Sequence, residues 1–119
     1  MSKKILVADD DRRLVFLMKE FLEGRGYSVV SAENGEDAVE KTRQLKPDLL
    51  LLDVRMPKLD GDEVYMVLKA DPATKHIPIL MLTGLRSEKE ILENKEENIL
   101  AKPVNLEALF AKIKELVGV

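Results

Sequence analysis

The sequence predicts an α/β fold, a five-stranded parallel sheet with helices on both faces. Short continuous apolar runs recur along the 119 residues, segments with helical apolar spacing lie between them, and polar residues end each run. A continuous apolar run of this length is typical of a strand buried on both faces. Strands that alternate with helices form parallel sheets with right-handed crossovers, so the pattern indicates (βα)5.

Three strands and two helices are predicted in the first half of the chain. The strands are Ile5–Ala8, Ser28–Ala32 and Leu49–Leu52. The first helix carries apolar residues at helical spacing and is closed by two glycines; these residues are Leu14, Leu17, Met18, Phe21, Leu22, Gly24 and Gly26. Asn34 is placed to cap the second helix, whose first turn is acidic. Leucine is a weak strand former, but four residues between Asp48 and Asp53 are too few for a helix.

The second half continues the alternation. We interpret Asp60-Gly61 as a turn; the helix after it carries Val64, Val67 and Leu68 and ends at Asp71-Pro72. Ile79–Leu82 and Asn98–Ala101 are the last two strands, and a capping box at Ser87-x-x-Glu90 predicts a poorly anchored helix between them. Asn105 caps a final helix with one apolar face, formed by Leu106, Leu109, Phe110, Ile113, Leu116 and Val117.

Composition excludes several classes of function. The 19 basic and 22 acidic residues give a net charge of −3, which argues against direct binding of nucleic acid. The absence of cysteine excludes a disulfide framework, a thiolate zinc site and a cysteine nucleophile, and a single histidine, His76, excludes a multi-histidine metal site. No apolar run is long enough to span a membrane. We expect a single domain over residues 1–119 in the cytoplasm.

Polar residues that could carry chemistry follow four of the five predicted strands. They are Asp9-Asp10, Asp53, Thr83-Gly84 and Lys102-Pro103. The carboxyl ends of parallel strands meet at one edge of the sheet, where open α/β sheets bind ligands. Carboxylates at close range repel one another, and Mg²⁺, which prefers oxygen ligands, removes that penalty. A carboxylate there can act as a nucleophile, with a lysine and a hydroxyl holding a transferred phosphoryl group.

Each of these residues has a simpler interpretation when taken alone. An aspartate after a strand is often the N-cap of the next helix, as we expect for Asp11. Thr83 alone could be a turn residue, and Lys102 alone a solvated surface residue. The joint pattern favours a functional site, because acids, hydroxyl and lysine each fall at a separate strand end.

The whole chain resembles a CheY-like receiver domain of bacterial two-component response regulators. The matching motifs are Ile5–Asp11, Asp48–Asp53 with Met56-Pro57 and Asp60-Gly61, Leu82–Gly84 and Lys102-Pro103. The resemblance implies a flavodoxin-like doubly wound sandwich with strand order 2-1-3-4-5. It also implies a phosphorylation-controlled signalling switch rather than an enzyme that turns over an external metabolite. Its partners would be a histidine kinase or histidine phosphotransfer protein and a downstream effector or fused output domain.

The same resemblance implies roles for individual residues. Asp53 corresponds to the phospho-acceptor, and Asp9, Asp10 and Asp53 to side-chain ligands of Mg²⁺, with Asp9 acting largely through water. The backbone carbonyl of Arg55 would be a further ligand. Thr83 and Lys102 correspond to the residues that bind the phosphoryl group, and Gly84 to the small residue that leaves it room. The peptide bond between Lys102 and Pro103 is often cis in the family.

Two features depart from the family's pattern. Ile99 stands where the family has its switch aromatic, and residues 84–98 form a shortened, highly charged segment. Ile99 is stiff and apolar, so we expect it to stay packed in both states of the switch. We therefore expect activation to change the order of residues 84–98, with a trimmed, solvated helix as the alternative.

Two other functions are compatible with parts of the pattern. A pseudo-receiver that serves only as an interaction module would have lost an acid, the acceptor or the lysine, and none is lost. A Mg²⁺-dependent phosphatase with an aspartyl-phosphate intermediate needs a second acid two residues after the nucleophile, where this chain has Arg55. The cognate kinase, the target, the oligomeric state and whether the domain stands alone stay open.

Overall fold

The computed structural model describes residues 2–54, 60–83 and 99–118, and five strands and four helices form within them. The strands are β1 (Lys4–Ala8), β2 (Ser28–Ala32), β3 (Leu49–Asp53), β4 (Ile79–Thr83) and β5 (Ile99–Ala101). The helices are α1 (Arg12–Glu23), α2 (Gly35–Leu45), α3 (Gly61–Ala70) and α4 (Leu106–Val117). The five predicted strands and these four predicted helices are confirmed. The helix predicted near Ser87 lies outside the described residues.

All five strands are parallel and lie in the order β2-β1-β3-β4-β5. The predicted fold class and strand order are therefore confirmed. β1 starts at Lys4, one residue before the predicted start, because Lys4 pairs with Ser28 of β2. Along the carboxyl edge, Asp53 pairs with Leu82 and Thr83 pairs with Ala101, so the ends of β3, β4 and β5 are nearly level.

The sheet separates two hydrophobic cores, and β3 contributes to both. Leu50 and Leu52 lie in the core that α2 and α3 cover, whereas Leu49 and Leu51 lie in the core that α1 and α4 cover. All four leucines are fully buried, which explains why their run is continuous rather than alternating. Burying one leucine side chain contributes about 1.5–3 kcal/mol, so the central strand is a main source of stability.

Each described helix begins at a capping residue. Asp11, Asn34 and Asn105 cap α1, α2 and α4, as predicted, by accepting backbone N–H groups of the first turn. The interpretation of Asp60-Gly61 as a turn is wrong, because Asp60 caps α3 and Gly61 is its first residue. The Asp60 carboxylate accepts the Glu63 N–H at 3.1 Å, and this bond starts the helix where the turn was expected.

An aromatic cluster holds α1 against α4. The ring of Phe110 makes edge-to-face contacts with Phe21 and Tyr27, both at 6.3 Å between centroids. The Arg25 guanidinium lies 4.4 Å from the centre of the Phe21 ring. The Tyr27 hydroxyl donates to the Gly118 carbonyl at 3.0 Å. These contacts fix the carboxyl end of α1, the helix that starts at the edge of the sheet where the polar residues gather.

Candidate functional site

Four strands bring predicted site residues to the carboxyl edge of the sheet. Asp9 follows β1, Asp53 ends β3, Thr83 ends β4 and Lys102 follows β5. The backbone N–H of Lys102 donates to the Thr83 carbonyl at 2.7 Å, so the pairing of β4 with β5 continues one residue past the end of β5. Parallel pairing thus places the four side chains around one crevice, as the sequence predicts.

Three carboxylates converge in this crevice. One oxygen each of Asp9, Asp10 and Asp53 lies within 4.8 Å of the others. Asp9 and Asp53 are buried, whereas Asp10 is exposed. Carboxylates packed this closely repel one another unless a cation lies among them. An all-oxygen donor set with an exposed side suits Mg²⁺, which keeps several waters while a few carboxylates bind it.

Lys102 supplies a positive charge to the same cluster. Its ammonium lies 3.1 Å from Oδ2 of Asp9 and 3.3 Å from Oδ1 of Asp53. Partial burial lowers the pKa of Lys102, but the hydrogen bond to Asp9 and the charges of Asp9 and Asp53 outweigh it. The pKa of Lys102 therefore lies above the ordinary lysine value, and the side chain is a full cation at neutral pH.

Asp9 is held from two directions. Its Oδ1 accepts the Asp11 N–H at 2.9 Å, while its Oδ2 accepts the Lys102 ammonium. Because Asp11 also caps α1, the helix start and the buried carboxylate are fixed together. Both oxygens of Asp9 thus have donors from this chain, and its expected role as a largely water-mediated metal ligand stays a prediction.

Thr83 brings an unusual hydroxyl to the crevice. The residue is 2% exposed, and its Oγ1 has no hydrogen-bond partner among the residues that the structure describes. A buried polar atom without a partner costs about 1–3 kcal/mol, so such groups call for an explanation. The role expected for Thr83 from the sequence, binding a phosphoryl oxygen, would supply a partner and stays a prediction.

Gly61 is the site feature that sequence reasoning missed. Its N–H donates to the Val54 carbonyl at 2.8 Å, directly after Asp53. A Cβ at this position would lie 2.5 Å from the Asp53 carbonyl oxygen. The sequence signal that could have indicated this contact is a glycine at the start of a helix. Glycine has a low helix propensity, so its presence there suggests a packing constraint.

The remaining predicted site residues are Arg55 and Gly84, and both lie outside the described residues. The same holds for Met56-Pro57 and for residues 84–98, whose change in order stays a prediction. Ile99 is half-buried and packs against the core that α2 and α3 cover. The peptide bond between Lys102 and Pro103 is cis.

A sequence model described as the response regulator receiver domain matches residues 5–114. The chain belongs to the response regulator receiver domain family. The matched span includes the acids, the threonine, the lysine and the glycine described above, and the resemblance stated from the sequence is confirmed. The domain is the type found in response regulators of two-component systems.

Individual relatives agree with this assignment. The alkaline phosphatase synthesis transcriptional regulatory protein PhoP of Bacillus subtilis is 40% identical over 98% of the receiver domain chain and 49% of PhoP. The response regulator PleD of Caulobacter vibrioides is 39% identical over 98% of this chain and 26% of PleD. The chain therefore spans about half the length of PhoP and about a quarter of PleD.

A solved structure matches over nearly the full length of both chains. The chemotaxis response regulator CheY4 of Vibrio cholerae superposes with a TM-score of 0.89 and is 29% identical, with 98% of this chain and 99% of that chain covered. Within the described residues of the receiver domain, no helix is both long and apolar enough to cross a bilayer.

Proposed function

We propose that this receiver domain is a phosphorylation-controlled switch. A histidine kinase or histidine phosphotransfer protein donates a phosphoryl group to Asp53, and the modified domain changes its interaction with a downstream effector or output domain. The observation that carries the proposal is the position of the Lys102 ammonium, within 3.3 Å of both Asp9 and Asp53, two of the three converging carboxylates.

The sheet order favours Asp53 over its neighbours as the acceptor. β3 lies between β1 and β4, so Asp53 is the acid closest in the sheet to Thr83. Both oxygens of Asp9 already accept donors from the protein, and Asp10 is exposed. A phosphoryl group on Asp53 would lie within reach of the Thr83 hydroxyl and the Lys102 ammonium.

The acids fit the Mg²⁺ that the family implies. Asp9, Asp10 and Asp53 would hold the ion, with the Arg55 carbonyl as a further ligand. When bound, Mg²⁺ supplies positive charge that neutralises the oxygens of the transferred phosphoryl group. Lys102 contacts the acceptor carboxylate and would pair with the phosphoryl group, and Thr83 would supply a hydrogen bond. Gly84 would leave room for the phosphoryl oxygens.

The proposed transfer exchanges one bond for another. An oxygen of Asp53 attacks the phosphorus of a phosphohistidine, the O–P bond forms, and the N–P bond breaks as the imidazole leaves with its electron pair. Attack of water on the acyl phosphate later releases inorganic phosphate and restores the carboxylate. The domain thus takes part only in its own modification and is not an enzyme acting on an external metabolite.

A protein donor has to reach the carboxyl edge of the sheet, and α1 offers the surface beside it. Phe16 and Leu17 are adjacent in the chain and expose 61% and 55% of their area, so they give α1 an apolar patch. Arg12 and Phe16 line a surface cavity with Asp9, so this patch is continuous with the crevice. We propose that the phosphodonor binds the α1 patch, with Arg12 near the incoming phosphohistidine.

The direct test is phosphorylation in vitro. Incubation with acetyl phosphate and Mg²⁺ should add one phosphoryl mass, located on Asp53 by peptide mass spectrometry. Asp53→Asn should not be modified there. Asp48→Asn is the matched control, because Asp48 lies at the opposite end of the same strand, and it should be modified like the wild type. Wild-type modification at another residue would contradict the proposal.

Three expectations from the sequence stay predictions. They are a single receiver domain over residues 1–119, no direct contact with nucleic acid or membrane, and a cytoplasmic location.

A further inference from the structure

The first residue of α3 touches the backbone that follows the proposed acceptor. A Cβ built on Gly61 would lie 2.5 Å from the Asp53 carbonyl oxygen, 2.6 Å from the Val54 Cα and 3.1 Å from the Asp53 carbonyl carbon. All three atoms are backbone atoms, so no side chain can rotate away to make room. Only glycine allows the helix to approach this closely.

The size of the conflict can be read from these distances. Ordinary van der Waals contact for a Cβ begins at 3.4 Å, so the 2.5 Å contact would have to open by about 0.9 Å. Gly24 offers the comparison, because a Cβ there would meet carbonyl oxygens at 3.4 Å, an ordinary contact. Alanine should therefore be tolerated at Gly24 and should force a displacement at Gly61.

Neither the end of β3 nor the start of α3 can move freely to make room for a methyl group. Both backbone polar groups of Val54, the residue after Asp53, are bonded: its N–H donates to the Leu82 carbonyl at 3.0 Å, and its carbonyl accepts the Gly61 N–H at 2.8 Å. The other partner, α3, is anchored by Val64 and Leu68 in the core. A methyl group at Gly61 therefore moves the helix start, the end of β3, or both.

We infer that Gly61 is a positioning residue for the acceptor, an inference that rests on the function proposed above. The Asp53 carboxylate lies 3.3 Å from the Lys102 ammonium and within 4.8 Å of the other acids. If the end of β3 moves by as much as 0.9 Å away from Lys102, the 3.3 Å contact opens beyond 4 Å and the shared cation site is disturbed. Gly61 thus sets the geometry of a reaction that it does not touch.

The test compares phosphorylation rates of three variants with the wild type. Gly61→Ala should be phosphorylated by acetyl phosphate about 10- to 100-fold more slowly at saturating Mg²⁺, since a displacement near 1 Å can cost that much. Gly24→Ala and Asp60→Ala should keep rates within about twofold of wild type. Asp60→Ala removes the cap of α3 without adding a methyl group against β3, so it separates a weaker helix start from a displaced acceptor.

A merely structural role for Gly61 makes a different prediction. A Gly61→Ala protein that is less stable but still folded at the assay temperature, as judged by circular dichroism, would accept phosphoryl groups at the wild-type rate. That result would overturn the positioning role and leave the proposed function intact. A wild-type protein that takes up no phosphoryl group on Asp53 would instead contradict the proposed function.

A second measurement uses only the wild-type protein, in case Gly61→Ala does not fold. Coupling between two sites is reciprocal, so if the Gly61 contact favours the cation site, Mg²⁺ must favour the contact. Exchange of the Gly61 amide, which donates to Val54, should slow at least threefold on addition of Mg²⁺, whereas exchange of the Gly24 amide should not change. Gly61 exchange that does not respond, in a protein that binds Mg²⁺ by calorimetry, would overturn the inference.

Discussion

Replacement of Lys102 by methionine removes the cation from the acidic cluster and keeps most of the unbranched side chain. The ammonium makes contacts of 3.1 and 3.3 Å with two buried carboxylates. Each contact is worth about 5 kcal/mol of gross attraction at an effective dielectric constant of about 20. Desolvation offsets most of this, and 24% of the lysine side chain is exposed. We therefore expect Lys102→Met to lose about 2–3 kcal/mol without metal, slightly less than the ~3–5 kcal/mol typical of a fully buried pair.

Magnesium should restore part of this loss. In the wild type, the ammonium contacts two of the three carboxylates that are proposed to hold Mg²⁺, so Mg²⁺ has to compete with it for their negative charge. We expect the variant to bind Mg²⁺ about ten times more tightly, which corresponds to about 1.4 kcal/mol. The difference in free energy of unfolding between variant and wild type should shrink by about that amount at saturating Mg²⁺.

Urea unfolding with and without Mg²⁺, together with calorimetric titration of Mg²⁺, measures both effects. Lys112→Met is the matched control, because Lys112 has the same 24% side-chain exposure and only a 3.7 Å contact with Glu115. Lys112→Met should change the free energy of unfolding by no more than about 0.5 kcal/mol. It should leave the affinity for Mg²⁺ unchanged. The reasoning is refuted if Lys102→Met is as stable as the control without metal, or if its affinity for Mg²⁺ is unchanged or lower.

Three further outcomes are expected. Asp10→Asn removes one of three converging carboxylates, so it should stabilise the metal-free protein in urea unfolding by about 0.5–1 kcal/mol and weaken the response to Mg²⁺. Phe16→Asp should slow transfer from a phosphorylated histidine phosphotransfer protein at least tenfold and leave labelling by acetyl phosphate unchanged. Met66 is 70% exposed on the opposite face of the sheet, and Met66→Asp should affect neither assay. Burial raises the pKa of Tyr27, so the folded protein holds the phenol proton to higher pH than the unfolded chain does. The free energy of unfolding should therefore fall as the pH rises above about 10. The fall should be less steep in Tyr27→Phe than in Tyr65→Phe, which keeps Tyr27.

Most of the fold could be predicted from the sequence, because apolar patterns and capping residues indicate the same strands and helices that the structure buries and caps. Leu49–Leu52 are apolar on both faces of β3, and the structure buries both faces. Asp11, Asn34 and Asn105 cap helices because the short-range bond from a side chain to a backbone N–H needs no tertiary context. The approach of the strand ends followed from parallel pairing alone.

Gly61 and Thr83 mark where such reasoning ends. Only the packing of α3 against the end of β3 shows that a methyl group at Gly61 would strike the Asp53 carbonyl. Likewise, threonine at a strand end predicts a hydroxyl near the crevice but not that its Oγ1 is buried without a partner among the described residues. Both properties depend on how separate elements pack against one another, and no local pattern encodes those distances.

The leucine run of β3 has a consequence for how the central strand finds its alignment. Slipping a strand by one residue normally moves polar side chains into the core, and that cost fixes its register. Between Leu49 and Leu52 a slip would exchange leucine for leucine on both faces, so the run itself carries little alignment information. That information lies at the two ends, where Asp48 bonds both backbone polar groups of Lys4 and Asp53 meets Lys102. The carboxylate proposed to receive the phosphoryl group therefore also favours the correct register of β3.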